Sequence, residues 1–141
     1  MGRVVVHLHG RPKERSMADA IGVYASRLTP RGIRIETHAA RTTVEAYLAS
    51  VPPAARMVLL DERGFQHDSV SFAEQMNAWQ LASEDVHLMV GPSDGWQGHG
   101  AAADRISLSS MTMPHELAAV VLVEQVYRAT EILRGSAYHR A

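Results

Sequence analysis

Short apolar runs alternate with helical segments along the whole sequence, and this alternation limits the folds that the chain can adopt. The run VVVHLH at residues 4–9 and the run VHLMV at residues 86–90 are each followed by glycine. Strands that are apolar on both faces are typical of a parallel sheet, because helices cover both of its surfaces. This pattern predicts five strands, at residues 4–9, 33–37, 57–60, 86–90 and 106–108.

The segments between these strands have the spacing of amphipathic helices. In the first of them, Met17, Ile21, Tyr24 and Leu28 recur every three or four residues and therefore share one helical face. Strands that alternate with helices indicate an α/β fold with a largely parallel sheet and helices on both faces. The length of 141 residues predicts a single domain, residues 1–141. The predicted helices cover residues 14–28, 43–49, 71–81 and 114–133.

The composition excludes several classes of protein. Hydrophobic residues make up 46% of the chain, which is enough for a core, and the absence of cysteine excludes disulfide frameworks and thiolate metal sites. The apolar runs are too short to span a membrane, and the first residues lack the pattern of a signal peptide. We therefore expect a soluble cytoplasmic protein with no membrane partner.

The charge pattern gives no overall attraction to nucleic acid, because the net charge is −1 with histidine neutral. Basic residues are nevertheless unevenly distributed: Arg11 and Lys13 lie in one predicted loop, and Arg140 lies near the end of the chain. Two interpretations fit this distribution. The residues form either an ordinary solvated surface or a local phosphate-binding patch.

Three loops are placed where α/β proteins bind ligands, which is beyond the carboxyl ends of parallel strands. They are residues 61–64, 91–100 and 109–115. The second loop, GPSDGWQGHG, contains four of the ten glycines, but it lacks the spacing of a phosphate-binding motif. It serves either tight turns or the close approach of a ligand.

The third loop leads directly into the longest predicted helix. Pro114 suits the first helical position, which makes Met113 the expected N-cap and leaves the first backbone N–H groups free for a ligand. In the alternative, the hydroxyl of Thr112 caps the helix. His115 alone is more typical of a structural role. The following helix is predicted to bury Ala118, Leu122, Val126, Ala129 and Leu133, while its opposite stripe suits a subunit interface, a site wall or an ordinary amphipathic surface.

No metal site is predicted. His7 and His9 point to one face of the first strand, but the sequence reveals no nearby acid and no third ligand. A nucleophilic triad is also unsupported, because the chain has neither a G-x-S-x-G elbow nor a cysteine.

Four segments together resemble one family. They are LLDERG (59–64), VHLMVGPSDGW (86–96), ISLSSMTMPHELAAVVLVEQVYRATEI (106–132) and the terminal YHR (138–140). The chain resembles the RlmH family of SPOUT-superfamily methyltransferases, which modify N3 of pseudouridine in large-subunit (23S) ribosomal RNA. The resemblance implies a homodimer, S-adenosylmethionine as methyl donor and a C-terminal trefoil knot. The near-neutral charge fits an enzyme that recognises the assembled ribosome through shape and local basic patches, and no metal cofactor is expected. Two alternatives remain open: a methyltransferase acting on another RNA such as transfer RNA, and a non-catalytic ribosome-associated RNA-binding module.

The resemblance also implies roles for individual residues. It implies that the C-terminal tail reaches the active site of the partner subunit, so His139, Tyr138 and Arg128 are the expected catalytic residues. His139 or Tyr138 is expected to orient or deprotonate the base, and Arg128 or Arg140 to hold RNA phosphate. Arg140, Arg11 and Lys13 are the expected RNA-binding residues. The expected donor-binding residues lie in the second and third loops and at the ends of the strands that lead into the first and third: Leu60, Gly91, Gly95, Leu108, Ser109, Met111, Thr112, Met113 and His115.

Overall fold

A five-stranded parallel sheet forms the centre of the computed structural model, which describes residues 2–140. The strand order is β2-β1-β4-β3-β5, and every neighbouring pair is parallel. The strands are β1 (Val4–His9), β2 (Arg34–His38), β3 (Arg56–Gln66), β4 (Val86–Met89) and β5 (Asp104–Ser107). The helices are α1 (Arg15–Leu28), α2 (Val44–Ala49), α3 (Ser69–Leu81) and α4 (His115–Arg134), and a short 3-10 turn follows α1.

Side chains alternate along the strands and create two separate cores. Val4, Val6 and Leu8 of β1 point to the face that α1, α3 and α4 cover, and they belong to the larger cluster. The opposite face carries a smaller cluster around Tyr47 of α2, together with Leu59 of β3. The predicted α/β fold, with a parallel sheet and helices on both faces, is thereby confirmed. None of the helices described within residues 2–140 is both long enough and apolar enough to cross a membrane.

The third strand departs most from the predicted bounds. Residues 61–64 were expected to form a loop, but β3 continues through them to Gln66 and pairs with β5, with a shift in register between Leu60 and Phe65. At Gly64 a Cβ atom would lie 2.7 Å from the backbone of Arg105 and Ile106, so only glycine allows this close approach. Leu60 and Phe65 both pair with Ile106, so residues 61–64 have no partner on β5 and bulge out of the strand, in agreement with their turn-like sequence.

Helix ends depend on local caps, and these account for smaller differences from prediction. Asp68 accepts a hydrogen bond from the backbone N–H of Ser71 at 2.7 Å and starts α3 at Ser69, two residues before the predicted start. Gly135 ends α4 in the left-handed conformation, with φ of 71°. Apart from β3, the observed ends lie within two residues of the predicted ones.

Candidate active site

The carboxyl ends of β3, β4 and β5 surround a cavity of about 640 Å³. Its wall is made by the end of β3, by the glycine-rich loop after β4 and by the loop between β5 and α4. Every residue that the sequence nominated from these three segments lines this one cavity: Leu60, Gly91, Gly95, Leu108, Ser109, Met111, Thr112, Met113 and His115. The size suits a small organic ligand, and the position is the ligand-binding edge of an α/β sheet.

A buried tryptophan fixes one wall of the cavity. Trp96 donates its indole N–H to the carbonyl of Leu60 at 2.9 Å, and its ring stacks on Tyr47 with centroids 5.9 Å apart. Tyr47 in turn donates its hydroxyl to the carbonyl of Val90 at 2.7 Å. A Cβ at Gly91 would lie 3.2 Å from the Trp96 ring, so a side chain here would require the ring to move by a few tenths of an ångström. Sequence reasoning missed both aromatic residues, although Trp96 lies within the predicted ligand-binding loop and Tyr47 within a predicted helix.

An ion pair holds the glycine-rich loop against the sheet. Arg105 Nη1 donates to Asp61 Oδ2 at 2.7 Å, while Nη2 donates to the carbonyls of His99 at 3.0 Å and Gly100 at 3.2 Å. Burial alone would raise the pKa of Asp61, but the hydrogen bond from the Arg63 backbone and the Arg105 guanidinium outweigh burial and lower it. Asp61 is therefore ionised near neutral pH.

We expect Arg105→Met to lower the free energy of unfolding by about 1.5–3 kcal/mol, because a largely buried charged hydrogen bond is lost. Arg56→Met provides the matched control, since Arg56 forms a similar pair with Asp104 at 2.6 Å but both side chains are about half exposed. Exposed pairs contribute roughly 0–1 kcal/mol. Urea unfolding of both variants measures the difference, and equal losses would show that the Asp61 pair has no special structural role.

The loop before α4 is held by its own side chains. Ser109 accepts a hydrogen bond from the N–H of Met111 at 3.0 Å, and Thr112 donates its hydroxyl to Glu62 at 2.6 Å. The N-cap of α4 is Pro114, and no side chain caps the helix. Both sequence expectations for the cap are therefore wrong: Met113 precedes the cap, and Thr112 uses its hydroxyl to join the loop to β3.

The chain matches the family model described as "Predicted SPOUT methyltransferase" over residues 3–139. It belongs to this family. Of the similar proteins, "Ribosomal RNA large subunit methyltransferase H" of Anaeromyxobacter sp. (strain Fw109-5) is 40% identical over 93% of this chain and 95% of its own length. The protein of the same name from Synechococcus sp. (strain RCC307) is 38% identical over 99% of this chain and 95% of its own length.

A solved structure gives the same fold at low sequence identity. TrmJ from Z. mobilis ZM4 matches with a TM-score of 0.52 and 11% identity, over 100% of this chain and 72% of its own. At this identity the likeness concerns the fold alone, and it agrees with the SPOUT assignment.

The C-terminal residues of this SPOUT chain form a cluster on α4, away from the cavity that the chain itself forms. Tyr138 donates its hydroxyl to Glu124 at 2.8 Å, and Arg128 binds the same carboxylate at 2.8 Å. Arg128 Nη1 also lies 3.1 Å from His139 Nδ1, and its guanidinium lies 4.9 Å from the centre of the Tyr138 ring. Burial and the hydrogen bond to Glu124 raise the pKa of Tyr138. Tyr138, His139 and Arg128 thus form one group, and none of them lines the cavity of their own chain.

The three basic residues nominated for RNA are all exposed. Arg11 and Lys13 precede α1, and the next backbone N–H, that of Glu14, donates to Glu116 in the first turn of α4 at 3.2 Å. This contact places the basic loop beside the start of α4, close to the cavity wall at His115. Arg140 directly follows His139, which lies beside Arg128 of α4.

The buried face of α4 differs in part from the predicted one. Leu122, Val126 and Ala129 are buried as expected, but Leu133 is 42% exposed and Ala118 is only half-buried, where it lines the cavity. Relative to the prediction, the buried face of α4 is rotated about the helix axis, and it includes Glu131. Glu131 accepts hydrogen bonds from Tyr127 at 2.8 Å and from Arg31 at 3.1 Å. These partners explain how a carboxylate enters a face that periodicity alone assigns to solvent.

The histidines of β1 have neighbours that the sequence did not reveal. We found no acid and no third ligand near His7 and His9 in the sequence, but Glu36 and His38 of β2 lie beside His7. That part of the sequence interpretation is wrong. The pairing of β1 with β2 brings these side chains together, and no motif in the sequence encodes this pairing.

Proposed function

We propose that the chain is an S-adenosylmethionine-dependent methyltransferase of the large-subunit ribosomal RNA. One observation carries the proposal: the nine residues nominated from three separate segments surround a single cavity at the ligand-binding edge of the sheet. Membership of the SPOUT methyltransferase family supports the reaction class, and the names of the similar proteins support the RNA substrate. In this proposal the C-terminal segment is knotted, and the chain acts as one cytoplasmic domain.

The cavity has the chemistry that the donor requires. S-adenosylmethionine supplies an electrophilic methyl group, and it carries an adenine, a carboxylate and a sulfonium cation. Leu60, Leu108 and Met113 provide apolar walls for the adenine, and Met113 adds a polarizable sulfur. Gly91 and Gly95 let the backbone approach the ligand closely, and Gly95 has a φ of +77° that suits glycine.

The acceptor side of the site requires a second copy of the chain. Tyr138, His139 and Arg128 are grouped on α4 but are absent from the wall of their own cavity. We therefore propose a homodimer in which this group serves the cavity of the partner subunit. The mixed polar stripe of α4, with Tyr127 and Arg128, supplies the contact surface.

The proposed acceptor is N3 of a pseudouridine, which must lose its proton as the new nitrogen–carbon bond forms. His139 is proposed to accept that proton at Nδ1, in place of the hydrogen bond that Arg128 donates to this atom in the free chain. The raised pKa of Tyr138 keeps its phenol protonated, so Tyr138 is proposed as a hydrogen-bond donor to the base. Arg128 is proposed to hold His139 and Tyr138 in position. Arg140, Arg11 and Lys13 are proposed to bind RNA phosphates of the assembled ribosome, since the net charge of −1 provides no general attraction.

Calorimetric titration with S-adenosylmethionine tests the donor site. We expect one donor molecule per cavity, with the methyl-free product S-adenosylhomocysteine competing for the same site. The absence of binding at millimolar donor would refute the enzymatic proposal.

A further inference from the structure

A group of histidine and glutamate side chains lies on the α2 face of the sheet, outside the cavity described above. The parallel pairing of β1 with β2 sets His7 opposite Glu36 and His9 opposite His38. Because strand side chains alternate, Glu36 and His38 point to the same face of β2 as each other. This face lies at the edge of the sheet, since β2 is its outermost strand on that side.

Three potential metal ligands converge at this edge. His7 Nδ1 lies 2.8 Å from His38 Nε2 and 3.7 Å from Glu36 Oε2. The three ligand atoms all lie within 4.8 Å of one another. Two imidazoles and one carboxylate are a known ligand set for zinc, with a solvent molecule in the fourth position. The Glu36 side chain is 38% exposed, so the fourth position can reach solvent.

Further contacts orient these ligands. His7 Nε2 lies 2.7 Å from His87 Nδ1, so a proton on His7 Nε2 leaves Nδ1 free on the side of Glu36 and His38. Arg34 holds Glu36 Oε1 at 2.8 Å, which leaves Oε2 on the side of His7. Such partners on the outer side of the ligands are typical of metal centres.

We propose that His7, His38 and Glu36 bind a divalent transition-metal ion of the zinc class. Burial lowers the pKa of His7 to about 4 and also lowers the pKa of His38 and His87, and neutral imidazoles have the free lone pairs that such an ion needs. Binding would replace the hydrogen bond between His7 and His38. In a tetrahedral zinc site the two nitrogens lie about 3.3 Å apart, so His38, which is only partly buried on an edge strand, would move by about half an ångström.

The proposed metal site is separate from the methyl-transfer site. None of its three ligands lines the cavity. The Tyr47 ring separates the two sites, since it packs edge-on against His38 at 4.9 Å on one side and stacks on Trp96 on the other. Metal binding can therefore be measured without donor or RNA, and its outcome does not depend on the proposed enzymatic function.

Titration of the tag-free full chain with Zn²⁺, followed by calorimetry, tests this proposal. We expect one ion per chain, and we expect Co²⁺ at the same site to give the visible absorption of a four-coordinate centre. His38→Gln and Glu36→Gln should each lower the Zn²⁺ affinity at least about tenfold. These two positions are preferred over His7, whose complete burial makes a folding defect a risk.

His67→Gln is the matched control, because His67 lies on the other side of the sheet and contacts Ser71 of α3. It should bind Zn²⁺ like the unaltered chain. Circular dichroism and thermal unfolding confirm that each variant folds. Zn²⁺ affinity that is unchanged in both His38→Gln and Glu36→Gln would overturn the proposal, and so would the absence of Zn²⁺ binding to the unaltered chain at submillimolar metal.

Discussion

A chain that lacks residues 138–141 is expected to bind S-adenosylmethionine with unchanged affinity and to lose methyl transfer by at least about a hundredfold. The donor should still bind because residues 138–140 contribute nothing to the cavity wall of their own chain. Transfer should fail because the truncation removes Tyr138 and His139, the groups proposed to act at the acceptor base. Acid–base groups typically contribute about 10²–10⁴-fold to a rate.

Point variants separate the chemistry of the tail from its packing. His139→Asn should lose most of the activity, whereas Tyr138→Phe keeps the ring that packs on Tyr127 at 4.9 Å and should lose less. Removal of Ala141 alone is the length control and should leave activity intact. Labelled methyl transfer to ribosomes from a strain without the gene provides the assay. Full activity in the chain without residues 138–141 would contradict the assigned roles of Tyr138 and His139.

Replacement of both Met111 and Met113 by alanine is expected to weaken donor binding by at least about tenfold. Met113 is half-buried and Met111 is 78% exposed, and both line the cavity, so a bound donor would cover apolar surface on each. Burying a methionine side chain contributes about 1.5–3 kcal/mol, and 1.4 kcal/mol corresponds to a tenfold change in affinity. Calorimetry with S-adenosylmethionine measures the change.

Met17→Ala is the matched control for these substitutions. Met17 is a partly exposed methionine on α1 that lies outside the cavity, so its loss should leave donor affinity unchanged. The single variants show how much of the loss in donor affinity comes from each side chain: Met111→Ala removes the exposed one and Met113→Ala the half-buried one. If the double variant binds the donor as tightly as the unaltered chain, the loop before α4 does not contact the adenine.

The sequence predicted what depends on local pattern. Apolar runs such as residues 4–9 predict buried strands, and the topology of a parallel sheet then places three loops at one edge. For this reason residues as far apart as Leu60 and His115 could be assigned to one site before their positions were known. The individual donor contacts came from the family resemblance, and the structure adds that all nine residues share one cavity.

Features that depend on distant pairing could not be predicted. The Asp61–Arg105 pair joins residues 44 apart, and Tyr47 stacks on a tryptophan from a different loop. The continuation of β3 to Gln66 results from the pairing of Phe65 and Gln66 with β5, which resumes after the unpaired residues 61–64. Likewise His7 and His38 meet only because of the β1–β2 register. In each case the two residues meet because of the tertiary fold, and the sequence around either residue does not indicate which distant residue it will contact.

Mass mapping of large-subunit ribosomal RNA tests the central claim most directly. RNA from a strain that lacks the gene is compared with RNA from the parent strain and from a strain that carries the gene again. The proposed function predicts the loss of one methyl group from one pseudouridine and its return with the restored gene. Unchanged methylation of large-subunit RNA in the deletion strain would contradict the proposed function. If transfer RNA from that strain, mapped in the same way, lacks a methyl group instead, transfer RNA is the substrate.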